Sequence, residues 1–399
     1  MAINYIAKLL SENNMEVDVL TGKPNYPEGK LIKGYGFFSK IKDTRGLVNI
    51  YRVPIIPRGT RFRTSGLIIN YLSAVISFSL LAPFILRGKR YDLIFVYGNS
   101  PLTTAIPALL LGKIKNVPVI LWVQDLWPQS IKTAGYNLFP FLLNLMKSII
   151  NFIYQNVDLI LCQSKSFIKE IKINYKIDEK KIKLLKNTID EIFGNDSEIN
   201  YELLPDKLIR EENVFNFLFT GNIGKVQSIK VLINAIRIIE KKKENVNFII
   251  VGGGSQLKKY KEEVARLGLK QIFFFGEHSW ESMPSFINFC DALLISLKKN
   301  KIMEMTIPNK LQSYLASGKP ILGSIDGESA ELIINSESGV IVNADDSESL
   351  ASAAIAMSRM RKEELLKFGE NGKKYFEDNF SKNVFIKDIK ECFKGISKS

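Results

Sequence analysis

The chain has 399 residues, 46% hydrophobic and 24% charged, a size for two domains of about 150 to 200 residues each and a composition that excludes disordered and collagen-like chains. Three distant cysteines (Cys162, Cys290, Cys392) make neither a disulfide framework nor a paired zinc site, and a single histidine, His278, excludes Ser-His-Asp hydrolysis and polyhistidine metal sites unless that one residue serves. The net charge of +14 calls for an anionic partner; without a helix-turn-helix, zinc-finger or RNA-binding-sheet signature that partner is not nucleic acid, which leaves anionic lipid or a phosphorylated ligand.

Residues 1–13 carry neither a basic leader with an apolar block nor a small-residue cleavage site, which predicts a cytoplasmic chain. Ile3, Ile6, Ala7, Leu9 and Leu10 have helical spacing, and residues 16–20 read as the strand after that helix. A doubly wound lobe begins with a central strand, so the first strand of this lobe is expected to be missing. Further strands are predicted at 49–53, 93–97, 119–123, 159–162 and 183–185, with helices between most of them. Residues 66–86, GLIINYLSAVISFSLLAPFIL, carry no charge over the length of a membrane span. Arg58, Arg61 and Arg63 precede them and Arg87, Lys89 and Arg90 follow, a symmetry without positive-inside bias. Three placements stay open: a helix lying on anionic headgroups, a buried helix of an α/β lobe, and a span.

In VILWVQDLWPQS, residues 119–130, a buried strand delivers Gln124 and Asp125 to its C-terminal edge, where ligands of open α/β sheets bind. Asp125, between Trp122 and Trp127, is either a partly desolvated functional carboxylate or a loop aspartate capping the next turn. After a polar stretch at 190–213, a second series of strands is predicted at 215–219, 247–251, 272–275, 292–296, 320–323 and 339–342. Alternating strands and helices of this kind make an α/β protein of two parallel sheets. The domains are expected at 1–195, 214–375 across a linker at 196–213, with a closing helical segment at 376–399 that returns to the first lobe.

Four segments of the second series carry candidate chemistry. FTGNIGKVQ, residues 219–227, joins a strand through Gly221, Asn222 and Gly224 to a helix expected from Val226, with Lys225 adding a charge where backbone N–H groups can meet an anion. FIIVGGGSQL offers Gly252, Gly253 and Gly254 in the same context, without the full dinucleotide fingerprint. Both are also readable as tight turns. TIPNKLQSYLASGKPIL, residues 306–322, predicts a short helix from Pro308 to the Gly318 stop, bracketed by Thr306 and containing Ser313. Lys310 in its first turn opposes the helix dipole by about 0.3 to 1 kcal/mol, a cost a bound phosphate reverses; the plain alternative is a lysine projecting into water. SIDGESAELI places Asp326, Gly327, Glu328 and Glu331 on a strand-to-helix turn, where the carboxylates either cap the helix or bind sugar and ribose hydroxyls.

In this order, VLTGKPNYPEGK, LWVQDLWPQS, FTGNIGKVQS and TIPNKLQSYLASGKPIL with DGESAE resemble glycosyltransferase family 4, retaining enzymes of GT-B fold, and within it the bacterial O-antigen and capsule subgroup that transfers amino sugars such as fucosamine. The resemblance covers nearly the whole chain. It implies two Rossmann-like doubly wound lobes facing a cleft, an acceptor site in the first lobe with Asp125 at the reacting centre, and a donor site in the second. There Lys225 and Lys310 would hold the diphosphate of a UDP-sugar and Glu331 would lie near ribose or sugar. It further implies no metal and no cofactor, a lipid-linked glycan acceptor, and peripheral attachment to the inner face of an anionic membrane.

Three departures accompany it. Where many members carry two glutamates eight positions apart, this chain has Met305 and Ser313, and the basic residue after the first C-lobe glycine is Asn222. The expected loss of the opening strand also removes a glycine loop that the family aims at the donor. Two alternatives follow: a sugar-nucleotide epimerase of the same fold, and an inactive truncated relic that binds nucleotide sugar.

Overall fold

A computed structural model describes residues 2–25, 29–36, 42–59, 64–133, 139–189, 200–205 and 211–396. Residues 26–28 of the first resemblance segment, Arg61 and Arg63, and linker positions 196–199 and 206–210 lie outside the described residues. The chain divides into two compact units, Met1–Leu185 with Phe385–Ser399, and Lys186–Val384.

The first unit runs α1 (Ala2–Glu12), β1 (Val17–Gly22), β2 (Lys42–Arg45), β3 (Val48–Val53), α2 (Thr64–Ile85), β4 (Ile94–Gly98), α3 (Ala105–Lys115), β5 (Val119–Val123), α4 (Gln129–Thr133), α5 (Pro140–Asn156), β6 (Leu159–Cys162), α6 (Lys165–Tyr175) and β7 (Ile182–Leu184). Its strands form two sheets, β1-β3-β2 and an all-parallel β4-β5-β6-β7, with no ladder between β1 and β4 among the described residues. Strand β2 was absent from the sequence expectation. Its residues, KDTR, contain no apolar side chain, and antiparallel pairing to β3 across a short turn is what makes them a strand.

Two helices and one polar cluster hold the two sheets side by side. On one face Ile6, Leu9 and Leu10 of α1 pack with Trp122, Leu159 and Leu161, while its Ala7 packs with Val48 and Ile50. On the same side, Ile386 and Ile389 of the closing helix Lys382–Lys394 join the first cluster. Ala82 of α2 and the adjoining Leu86 fill the space over Tyr51 of β3, with Leu20 and Ile94 against them. Asp18 of β1 accepts hydrogen bonds from Asn49 of β3 at 2.9 Å and from Tyr91 and Lys89, just before β4, at 2.7 and 2.5 Å. Desolvation pushes the Asp18 carboxyl up, but the three donors outweigh it and hold it below the ordinary carboxylate value.

The second unit is a doubly wound sheet. Its elements are β8 (Phe215–Thr220), α7 (Ile229–Lys241), β9 (Val246–Val251), α8 (Leu257–Leu267), β10 (Ile272–Gly276), α9 (Met283–Phe289), β11 (Ala292–Ser296), α10 (Lys301–Met305), α11 (Asn309–Ala316), β12 (Ile321–Ser324), α12 (Glu328–Asn335), β13 (Gly339–Val342), α13 (Ser347–Ser358) and α14 (Lys362–Phe380). All six strands are parallel, in the order β10-β9-β8-β11-β12-β13. Near-continuous apolar strands such as ALLIS are required because helices cover both faces, α7, α8 and α13 on one and α9, α11, α12 and α14 on the other. The chain winds outward from β8 to β10, then restarts at β11 on the other side of β8.

The Asp18 cluster carries a pH signature. Asp18→Asn is expected to cost roughly 1–2 kcal/mol of stability at neutral pH, the lower end reflecting the part-exposed Lys89. A carboxyl held below its unfolded value stabilises fully above that value and loses the contribution as pH falls through the folded one. Urea unfolding of wild type and variant should therefore converge on acidification; a gap that persists in acid contradicts the assignment.

Candidate functional site

The strand order of the second unit reverses between β8 and β11, and at such a point the loops leaving adjacent strands diverge and open a crevice at the carboxyl edge. The loop after β8 carries Gly221 to Ser228, and the segment after β11 leads through α10 into α11, whose first turn holds Lys310. A side-chain carbon at Gly221 would stand 3.6 Å from Lys310 Nζ, so the lysine reaches across the switch point to the glycine loop.

Lys310 does not project into water. The residue as a whole keeps some exposure, but its ammonium nitrogen is enclosed and has no hydrogen-bond partner among the described residues. It stands 3.9 Å from the centroid of the Phe219 ring, the last buried apolar position of β8. A ring face supplies part of the attraction a counter-ion would give. Burial pushes the Lys310 ammonium down to about 7. One turn further along α11, buried Tyr314 accepts a hydrogen bond from the Thr220 N–H at 3.0 Å, fixing the end of β8 against the helix that carries the lysine. Phe219 and Tyr314 escaped the sequence reading. Their signal was available: Phe219 is two residues before Gly221, and Tyr314 lies four after Lys310, on the same helix face.

The predicted glycines are brought together, but their freedom serves mostly the chain itself. Gly252 has φ +143°, and a side-chain carbon there would fall 1.9 Å from the Gly221 carbonyl oxygen; at Gly254 the space is taken by Asn222 and Ile223. The Ile223 N–H donates to the Gly253 carbonyl at 2.6 Å and the Gln256 N–H to the Ile223 carbonyl at 3.0 Å. Gly253 abuts the Glu277 carboxylate, from the end of β10. Gly224 donates its N–H to Gln227 Oε1 at 3.1 Å. The helix expected from Val226 begins instead at Ile229, because Ser228 adopts a left-handed conformation with φ 46° and gives its hydroxyl to Asp345. Lys225 therefore sits exposed in the loop.

The remaining candidates surround the entry to α11 and α12. Pro308 is the N-cap of α11, Thr306 donates its hydroxyl to the Ile302 carbonyl at 2.7 Å, and buried Ser313 turns its hydroxyl back toward the Asn309 carbonyl. The carboxylate cap considered for α12 is absent: Gly327 is the N-cap, pressed against the backbone of Glu304, and Asp326 accepts from the Ala344 N–H at 3.1 Å. Glu331 is exposed and Glu328 half-buried in the first turn of α12.

In the first unit, Asp125 follows β5 at the carboxyl edge of the four-stranded sheet. It accepts a hydrogen bond from Ser100, after β4, whose hydroxyl in turn accepts from the Trp127 indole at 2.7 Å. The expectation that Trp122 flanks Asp125 is corrected. Alternation along β5 sends Trp122 into the core against Tyr97 and Phe385, with its indole N–H on the Leu185 carbonyl. Ser100 was missed because nothing in its local sequence distinguishes it; only the pairing of β4 with β5 brings it to Asp125.

Comparison with known proteins agrees in both halves. Residues 2–192 match the family described as Glycosyltransferase Family 4, and residues 200–375 match Glycosyl transferases group 1. Among curated proteins, the Uncharacterized glycosyltransferase MJ1178 of Methanocaldococcus jannaschii is 25% identical over 54% of this chain, which spans only 58% of that relative's length. WcaI of Escherichia coli (strain K12), whose name associates it with colanic acid biosynthesis, is 22% identical over 77% of this chain and 75% of its own. Among solved structures, Anabaena HepE in complex with UDP and glucose superposes with a TM-score of 0.65 at 16% identity, covering 88% of this chain and 87% of that one. At that identity the likeness establishes the fold, the two-lobed α/β GT-B class expected from the sequence.

Two substitutions test the site's construction. Gly252→Ala combines an unfavourable backbone conformation with a clash on the Gly221 carbonyl and is expected to cost about 1–3 kcal/mol, measured by chemical unfolding. Lys310→Met removes an enclosed, unpartnered charge and is expected to raise the melting temperature. Below about pH 7 the native chain holds that charge out of water while the unfolded chain solvates it; as pH rises from about 7 toward the ordinary lysine value, the penalty fades. The stability gain should accordingly be larger at acidic than at alkaline pH, and a gain that grows with pH would count against an enclosed ammonium.

Proposed function

Because the chain is a glycosyltransferase, built of a family 4 domain and a group 1 domain, we propose that it transfers a sugar from a UDP-sugar to a polyprenyl-diphosphate-linked saccharide with retention of anomeric configuration. The sugar is an N-acetylated amino sugar and the product belongs to O-antigen or capsule polysaccharide. The carrying observation is Lys310, a cation enclosed without a counter-ion among the described residues at the point where the strand order reverses. An enclosed ammonium beside glycine backbone is a site awaiting an anion, and a diphosphate returns the desolvation cost. The binding of UDP by HepE, a protein of the same fold, supports a uridine nucleotide.

In this reading residues 214–375 hold the donor and residues 1–195 the acceptor, joined through 196–213, with 376–399 as the closing helical segment. The bond from the anomeric carbon to the diphosphate oxygen breaks, its electron pair leaves on UDP, and the acceptor hydroxyl oxygen forms the new bond on the same face and gives its proton to the departing diphosphate. Lys310, with Lys225 from the exposed loop, stabilises the charge that grows on the diphosphate, the term that dominates where no metal serves the leaving group. Gly221, Asn222, Thr306, Glu328 and Glu331 line the donor's path, and Asp125, oriented by Ser100, serves the acceptor. The protein works in the cytoplasm, attached peripherally to the membrane that carries its lipid-linked acceptor.

Calorimetric titration with a panel of UDP-sugars tests the assignment. UDP-glucose is a useful first probe because its diphosphate does not titrate near neutrality. Its affinity should be highest below about pH 7 and fall by up to about tenfold per pH unit above it, as Lys310 loses its proton. Lys310→Ala should weaken every UDP-sugar by at least about tenfold and flatten that profile. Unchanged binding in the variant removes the diphosphate role, and epimerised sugar formed without acceptor replaces transfer by epimerisation.

A further inference from the structure

Helix α2 is apolar all round, and both of its sides are accounted for differently. Its inner side packs on the β1-β3-β2 sheet through Ala74, Phe78, Leu81 and Ile85, against Val53, Ile55 and Leu20. Two polar residues anchor the same side: buried Asn70 donates to the Ile56 carbonyl at 2.5 Å, and the Ser73 hydroxyl accepts from the Ile56 N–H at 3.0 Å. Its outer side presents Ile68, Leu72, Ile76, Leu80 and Phe84, spaced by four, with Leu80 62% and Phe84 75% exposed. The neighbouring helices continue this surface. Helix α3, packed on α2, exposes Leu110 and Ile114; α5, packed on α3, exposes Leu145 and Phe152, with Phe139 and Phe141 at its start.

The three helices carry charges of one sign, with Asp92 the one exposed acid close in sequence to the end of α2 among the described residues. None of α2, α3 and α5 contains an aspartate or glutamate. Lys113 and Lys147 are exposed on α3 and α5, and Arg87 and Arg90 are exposed just beyond the end of α2. Lys115 of α3 draws the two helix ends together, donating to the Leu86 carbonyl at 2.7 Å and the Lys89 carbonyl at 2.9 Å. Arg87, Arg90 and Lys113 thereby gather on one border of the apolar face. A soluble partner of ordinary composition gives such a border no reason to exclude acids from all three helices. A bilayer with anionic headgroups does: acyl chains receive Leu72, Leu80 and Phe84, and phosphates receive the arginines and lysines.

We infer that the outer faces of α2, α3 and α5 form one lipid-docking surface, on which the chain sits with α2 lying along an anionic bilayer. This rests on the peripheral attachment proposed above and specifies its surface and orientation. A crossing α2 is incompatible with Asn70 and Ser73 bonded to the backbone before the helix and with its inner face forming the core of the β1-β3-β2 sheet.

The test uses the full chain and sedimentation with vesicles of phosphatidylcholine alone or with a third phosphatidylglycerol. Wild type is expected to bind the anionic vesicles at least about tenfold more tightly, with binding weakened by salt. Leu80→Asp with Phe84→Asp should abolish binding, while Ile173→Asp, an exposed apolar residue on α6, should leave it unchanged; the UDP-glucose affinity of each variant reports that the donor unit is folded, and circular dichroism that the whole chain is. Wild-type binding that survives both acidic substitutions overturns this surface while leaving peripheral attachment standing. Failure of wild type to bind any vesicle overturns both, as does a lipid-free dimer dispersed by the same substitutions, which would make the face a contact between copies. Retention of the protein in vesicles after alkaline carbonate washing overturns the flat orientation.

Discussion

The second unit is organised around a charge that has left water without meeting an opposite charge. Lys310 is enclosed between the end of β8 and the start of α11, and the attraction it receives comes from the face of Phe219. Maintaining that arrangement requires α11 to be held close to β8, which the bond from the Thr220 N–H to buried Tyr314 provides. It also requires the loop beyond β8 to turn sharply at Gly221, whose φ of +117° favours glycine. A site with these properties is destabilising when empty and is relieved by an anion, so the same residue links stability, pH and anion affinity.

The first unit meets a different constraint. Its two sheets lie between shared helices with no strand ladder joining them among the described residues, and the backbone edges of β1 and β4 are bridged by side chains instead. Asp18 collects donors from β3 and from the approach to β4, making one carboxylate the polar fastener of the unit.

How legible was this in the sequence? Strands buried on both sides announce themselves, and VILWV and ALLIS were located to the residue because continuous apolar runs of that length have no other use in such a fold. KDTR could not be read, since an edge strand exposed on both sides has no hydrophobic period. Lys310 was legible because a cation in the first turn of a helix is locally unfavourable and so demands a reason. What faces it was not, for Phe219 lies some ninety residues away and only the strand order brings it there. Two of the readings that failed, Trp122 beside Asp125 and the carboxylate cap of α12, inferred proximity in space from proximity in sequence across an element whose side chains alternate or splay; a third, the helix start at Val226, missed the left-handed turn at Ser228. Helix α2 left its environment open for a related reason: all-round hydropathy cannot separate a face turned to a sheet from a face turned outward.

The interlocked glycine loops give the crevice of the second unit two kinds of wall. Gly252 against the Gly221 carbonyl and Gly254 against Asn222 and Ile223 leave no room for even a methyl group, and the Gly252 N–H on the Gly276 carbonyl at 2.6 Å ties the end of β10 to the same piece. That side cannot be reshaped by single substitutions without breaking the lock. Across the switch point, the first turn of α12 meets solvent through exposed Glu331, where the side chain can be exchanged at little structural cost. A crevice of this construction can change its chemistry on one side of the switch point while the other side keeps its shape.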